Sequence, residues 1–118
     1  GLHRRLRGAL VGHLAAFEMT SIGPMARYAR TLRRLGLGGH EFYDVHVEAD
    51  AHHEVIAAHD LAQGLAVDEP ELVDEILFGA QAVTNAERRL ADHLLTTWAG
   101  GRTSLRRPLA PLHVADAA

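Results

Sequence analysis

Residues 41–61 contain neither glycine nor proline and read EFYDVHVEADAHHEVIAAHDL. Alanine and glutamate recur through this segment, a composition that favours a helix. At about 100° per residue, His46, Asp50 and His53 fall within roughly 60° of one another on the helix surface. The apolar residues on the same stripe are Phe42, Ala49, Ala57 and Leu61. The segment therefore predicts a helix whose apolar face carries imidazoles and a carboxylate at i, i+4 and i+7.

Polar side chains on an apolar helix face need partners. Burying such groups is costly unless each is hydrogen-bonded, paired with a charge or bound to a metal. Imidazole nitrogen and carboxylate oxygen suit iron, manganese or zinc, and the spacing places successive donors about one helical turn apart. The same pattern also fits a polar network inside a helical bundle, so a metal site and a structural network both remain open.

A second carboxylate lies on an apolar stripe earlier in the chain, which the residues Leu10, Val11, Leu14 and Phe17 form as the core-facing side of the first predicted helix. Glu18 follows Leu14 by one helical turn and Val11 by two, so it projects from the apolar side of the first predicted helix. A glutamate in this position is uncommon without a partner. It is either a metal ligand or a residue that reaches water where the helix ends.

Composition bounds the class of protein. The chain has 118 residues, 47% of them hydrophobic, and a net charge of −3, which gives no electrostatic case for nucleic-acid binding. It has no cysteine, so disulfides and thiolate metal sites are excluded. No apolar run reaches the roughly 18 residues of a membrane span, and no signal peptide is visible. We expect a cytoplasmic protein that contacts neither membrane nor nucleic acid.

The helical pattern predicts about four helices and no strand. A first helix covers Leu2 to Met19, and the Thr20-Ser21-Ile22-Gly23-Pro24 run is expected to break it, with Ser21 capping the next helix. That short helix, from Met25 to Leu35, ends at Gly36, and the central helix stops near Gly64. The last helix is expected to run from about Glu69 to Trp98, with Asp68 as its cap and Pro70 in its first turn. Gly79 allows close packing, and Gly100-Gly101 ends the helix.

Two segments resemble a known family. Residues 15–21 read AAFEMTS and residues 42–54 read FYDVHVEADAHHE. They resemble the bacterial iron-containing redox enzymes, which belong to the haem-oxygenase-like di-iron oxidases and oxygenases. In that family one helix carries His-x-x-x-Asp-x-x-His and an earlier helix carries a Glu. The matching residues here are Glu18, His46, Asp50 and His53.

The resemblance implies an all-α, haem-oxygenase-like helical bundle without haem. It implies a site for iron, with two ions in the complete centre, and makes Glu18, His46, Asp50 and His53 metal ligands. The expected function is a non-haem iron redox enzyme that activates O2 to oxidise or oxygenate a small organic substrate. The alternative is a non-catalytic helical interaction module with a buried polar network.

The chain carries only about half of the donors that the family uses. It begins at Gly1, inside a predicted helix, so we expect residues 1–100 to form the C-terminal half of such a domain and residues 101–118 a loosely ordered tail. The missing N-terminal half or a second copy of the chain would supply the other donors. Glu48 and Glu54 are possible extra carboxylates, and Tyr43 and Asp60 are candidates to orient the imidazoles.

Overall fold

The structure, a computed structural model, describes residues 4–107. The helices are α1 (Arg7–Arg34), α2 (His40–Val55), α3 (Gly64–Asp68) and α4 (Val73–Ala99), with a π-helical segment at Ile56–Gln63 and 3-10 turns at Arg4–Leu6 and Pro70–Leu72. No strand occurs among these residues, which confirms the predicted all-α class.

The predicted break at Pro24 is wrong, because α1 passes through it without interruption. The first two predicted helices are therefore one helix. Gly23 removes one obstacle, since the proline ring clashes with a preceding Cβ and glycine has none; the hydrogen bond that Pro24 cannot donate is still lost. Ser21 consequently lies inside α1 rather than capping a new helix.

Gly36 ends α1 as predicted. It takes φ of 66°, a left-handed conformation that costs little for a residue without Cβ. Its amide donates to the Arg33 carbonyl, and the Leu37 amide donates to the Leu32 carbonyl, which is the Schellman pattern. The chain then turns through residues 35–39 into α2.

The helices α1 and α2 form an antiparallel hairpin. Earlier residues of α1 contact later residues of α2, and these contacts define the register between the two helices. The pairs across the hairpin, from the loop outward, are Arg33–Asp44, Tyr28–Tyr43, Ser21–Asp50 and Glu18–His53. This register brings the polar residues of the two predicted stripes together.

Helical structure continues beyond the end of α2. The central helix was expected to stop near Gly64, but a π-helical segment covers Ile56–Gln63 and α3 continues to Asp68. The Gly64 amide donates to the His59 carbonyl, five residues earlier, as in a π-helix. The segment begins three residues after His53, and π-helical geometry is frequent at functional sites.

Small residues bring α1 and α4 close together. A Cβ added to Gly12 would collide with the Ile76 backbone, and one added to Gly79 would collide with the Ala9 backbone. The close packing predicted at Gly79 is therefore confirmed. At the start of α4, Glu69 rather than Asp68 occupies the position before the 3-10 turn, and its carboxylate pairs with Arg7.

The chain divides into two compact units after Ala86. The first holds the hairpin, the π-helical segment and residues 73–86 of α4. In the second, Gly101 takes φ of 66° and ends the helix as predicted, and the Trp98 indole donates to the Ser104 hydroxyl at 3.0 Å. The predicted tail lies partly outside the described residues, and the boundary at residue 100 stays a prediction.

Large apolar side chains on α1 remain exposed. Leu10, Leu14 and Phe17, predicted to face the core, each expose more than two fifths of their surface. The buried positions of α1 are instead occupied by small residues: Gly8, Ala9, Gly12, Ala15, Ser21 and Ala29. Within the described range, no helix is both long and apolar enough to cross a membrane.

Candidate metal centre

Three of the four predicted ligands lie together. The donor atoms of Glu18, Asp50 and His53 are all within 4.8 Å of one another. His53 Nδ1 lies 3.4 Å from Glu18 Oε2 and 3.6 Å from Asp50 Oδ1. Donor atoms at these separations can reach a single ion between them.

The position of each candidate ligand follows from the hairpin. Asp50 and His53 are separated by three residues on α2, which places them on the same face of that helix. Glu18 reaches them from the antiparallel helix α1. Asp50 is only 5% exposed, whereas more than half of the His53 side chain is open to solvent. The cluster therefore runs from the helix interface to the surface.

Ser21 is a residue of the site that the sequence prediction missed. Its hydroxyl is 2.6 Å from Asp50 Oδ2 and 3.0 Å from the Glu18 carbonyl oxygen. Ser21 is buried, so this hydrogen bond supports the Asp50 carboxylate within the helix interface. The three-residue spacing from Glu18 would have indicated Ser21 if α1 had been predicted to continue through Pro24.

His46 does not join the cluster of three. Its Nδ1 donates to the Phe42 carbonyl at 2.6 Å, and its ring lies 4.2 Å from the Phe42 ring. This hydrogen bond leaves Nε2 as the nitrogen that can bind a metal, an arrangement common among metal-binding histidines. The prediction that all four donors converge is met by Glu18, Asp50 and His53 only.

The other candidates lie apart from the cluster. Glu48 and Asp60 are exposed, and Glu54 is half-buried, but none belongs to the group of converging donors. Tyr43 packs edge-on against Tyr28 and Phe42 instead of bonding to a histidine. These residues give no additional donor to the site in the described part of the chain.

An apolar pocket of about 230 Å³ adjoins the Glu18 carboxylate and the His53 imidazole. Glu18 and His53 form its polar wall. The apolar wall consists of Leu14, Ile56, Ala57 and Leu61. Three of these apolar residues come from the π-helical segment, so the altered helical geometry shapes the space beside the site.

The donor set fits iron chemically. Carboxylate oxygens with imidazole nitrogen are ligands for iron, manganese and zinc. Two negative carboxylates next to one imidazole also favour a cation electrostatically. The structure thus provides two carboxylate donors and one imidazole donor from two helices, and an ion bound between them would also link the two helices of the hairpin.

Comparison with known proteins identifies the family. The family model for iron-containing redox enzymes matches residues 1–88, about three quarters of the chain, and includes both predicted motifs. The searches of curated proteins and of solved structures give no match. The all-α fold and the carboxylate–histidine cluster agree with the family match. The chain therefore belongs to the family of iron-containing redox enzymes.

Proposed function

We propose that this protein is a non-haem iron enzyme that uses O2 to oxidise or oxygenate a small organic substrate. The observation that carries the proposal is the convergence of Glu18, Asp50 and His53 within a chain of the iron-containing redox family. Bound iron would supply the electrons that reduce O2. The residues of the chain bind the ion, orient its ligands and shape the substrate space.

In the proposed site each residue has a distinct role. Asp50 would provide a buried carboxylate oxygen held by Ser21, and Glu18 would provide a partly exposed carboxylate oxygen from the opposite helix. His53 provides Nδ1, which faces both carboxylates. His46 completes the proposed ligand set through Nε2, since its Nδ1 is committed to the Phe42 carbonyl.

A centre with two ions needs donors beyond these four side chains. Di-iron sites in helical bundles draw carboxylates and histidines from several helices. We therefore propose that a second copy of the chain, or another segment of polypeptide, supplies the remaining ligands. The exposed side of His53 is where such a segment would approach.

The adjoining pocket supports an organic substrate. Leu14, Ile56 and Leu61 offer apolar surface next to two possible metal ligands, Glu18 and His53. A substrate with an apolar part would displace water from this space and place a carbon or nitrogen atom next to the metal.

Anaerobic titration with Fe(II) tests the proposal. Wild type should bind iron stoichiometrically, and His53→Ala and Asp50→Ala should lose this binding in calorimetry. The matched control is His52→Ala, because His52 is the neighbouring imidazole and contacts only its own helix backbone at Glu48. Oxygen consumption by the iron-loaded protein with added reductant then tests the use of O2.

A helical interaction module remains the alternative, favoured by the exposed apolar residues of α1. Such a module would keep its polar cluster only to set the register of the hairpin. It would bind no iron stoichiometrically, and His52→Ala and His53→Ala would then be indistinguishable in the titration. That result would contradict the enzyme proposal.

A further inference from the structure

The buried hydroxyl of Ser21 donates a hydrogen bond to Asp50, one of the proposed metal ligands. Ser21 is 6% exposed and Asp50 is 5% exposed, and the hydroxyl lies 2.6 Å from Asp50 Oδ2. A hydrogen bond of this length to a carboxylate is at the short, charge-assisted end of the range. A hydroxyl has one proton to donate, so the carboxylate takes it in preference to the Glu18 carbonyl at 3.0 Å.

The two oxygens of Asp50 therefore face different partners. Oδ2 accepts the hydrogen bond from Ser21, and Oδ1 lies 3.6 Å from His53 Nδ1. We infer that Ser21 is a positioning residue that restricts Asp50 to binding the metal through Oδ1 alone. This inference rests on the proposed function, since it assumes that Asp50 is a ligand.

The physical reason is rotational freedom of the carboxylate. The terminal torsion of aspartate is broad and roughly two-fold, so packing alone does not fix which oxygen faces the ion. Ser21 is held on α1, which also carries Glu18, so its hydrogen bond ties the orientation of Asp50 to the helix that provides the other carboxylate. Without the hydroxyl, Asp50 could rotate and bind the ion with both oxygens.

A purely structural role would have different consequences. A hydroxyl that only satisfies a buried carboxylate would change the stability of the metal-free protein but leave the coordination of the ion unchanged. A positioning residue changes both metal affinity and the number of oxygens around the ion. Partners of metal ligands typically alter affinity by about 10- to 100-fold when removed.

Metal affinity of single variants is the first measurement. Ser21→Ala should bind Fe(II) about 10- to 100-fold more weakly than wild type, and Ser21→Thr, which keeps a hydroxyl, should recover most of the affinity. Ser21→Val has the shape of the threonine variant but no hydroxyl, so it should resemble Ser21→Ala even if the alanine variant folds poorly. Thr20→Ala is the matched control, because the Thr20 hydroxyl donates to the Ala16 carbonyl and points to no ligand.

Visible absorption of the Co(II)-substituted protein is the second measurement. Its intensity falls as the coordination number rises, so Ser21→Ala should absorb more weakly than wild type and Ser21→Thr should not. Unchanged affinity in Ser21→Ala, or weaker affinity with an unchanged Co(II) spectrum, would overturn the inference. Asp50→Ala distinguishes failure of the inference about Ser21 from failure of the proposed function. If this variant binds iron as wild type does, Asp50 is not a ligand and the inference about Ser21 fails with it. If only Ser21→Ala behaves as wild type, the ligand role stands.

Discussion

Helix α1 makes two contacts of opposite character in the first unit. Against α4 it presents glycine and alanine, and the backbones of Gly12 and Ile76 approach so closely that no added Cβ fits. Against α2 it presents Glu18 and Ser21, which face Asp50 and His53. The α1–α4 contact depends on close backbone packing that leaves no room for larger side chains. The α1–α2 contact brings ionisable side chains together.

The two contacts of α1 serve different purposes: the one with α4 stabilises the fold, and the one with α2 forms the proposed site. Close packing of small residues gains dispersion contacts that need no ligand. Buried carboxylates cost free energy until a cation or donors compensate them. The α1–α4 contact should therefore stabilise the protein equally with and without metal. The contribution of the α1–α2 polar cluster to stability should depend on metal.

Gly79→Ala should have the largest effect. The added Cβ would meet the Ala9 backbone rather than a flexible side chain, so the helices must move apart. Overpacking of this kind costs about 3 kcal/mol of unfolding free energy, and iron should not change that loss. Urea denaturation with and without Fe(II) measures both expectations.

Gly64→Ala is the matched control for that substitution. Gly64 has helical φ of −56°, and the nearest atom to an added Cβ is the His59 carbonyl oxygen at an ordinary 3.8 Å. Alanine should therefore stabilise the protein by about 0.5–1 kcal/mol. Equal losses in Gly64→Ala and Gly79→Ala would show that the close approach of α1 and α4 is unimportant.

The effect of Asp50→Ala on stability should change sign when metal is added. In the metal-free protein the substitution removes a buried carboxylate that the Ser21 hydroxyl compensates only in part and adds the best helix former, and Ser21 can then donate to the Glu18 carbonyl, so stability should stay equal or rise. With Fe(II) at about 100 times its dissociation constant, wild type should gain about 2.7 kcal/mol that the variant lacks. Thermal melting of both proteins with and without Fe(II) measures the difference. Equal increases in melting temperature would mean that Asp50 is not a ligand.

Helical periodicity predicted the parts of the site that depend on a single helix. The wheel placed Asp50 and His53 on one face, and the structure joins them to Glu18 because the hairpin register aligns these positions. It could not predict the ring orientation of His46, which is set by a hydrogen bond to the Phe42 carbonyl. Side-chain rotamers of this kind depend on local contacts that periodicity does not contain.

Other errors arose where one residue was considered without its neighbours. Pro24 indicated a helix break, but Gly23 before it permits a continuous α1, and this hid the role of Ser21. The apolar stripe with Leu14 and Phe17 was predicted to be core, yet both stay exposed. Periodicity identifies an apolar face but not the surface that covers it.

Gly36→Ala tests the loop that sets the register of the polar cluster. The left-handed φ of 66° disfavours a residue with Cβ, so the variant should lose about 1–2 kcal/mol of unfolding free energy. Gly38→Ala is the control, because Gly38 lacks a positive φ and has open space around it. Chemical denaturation should show a loss for Gly36→Ala and none for Gly38→Ala; similar values for both would mean that the turn tolerates side chains.

Arg33→Gln should have the smallest effect, although it removes an ion pair across the same hairpin. The Arg33 and Asp44 side chains are 48% and 40% exposed, so water and salt screen their attraction. Asp44 also keeps a second partner, His40 Nδ1, at 3.3 Å. We expect a loss of about 0.3 kcal/mol at low salt and none at high salt, measured by denaturation at two ionic strengths. A loss as large as that of Gly79→Ala, unaffected by salt, would mean that exposed charge rather than close packing and the buried cluster holds α1 in place.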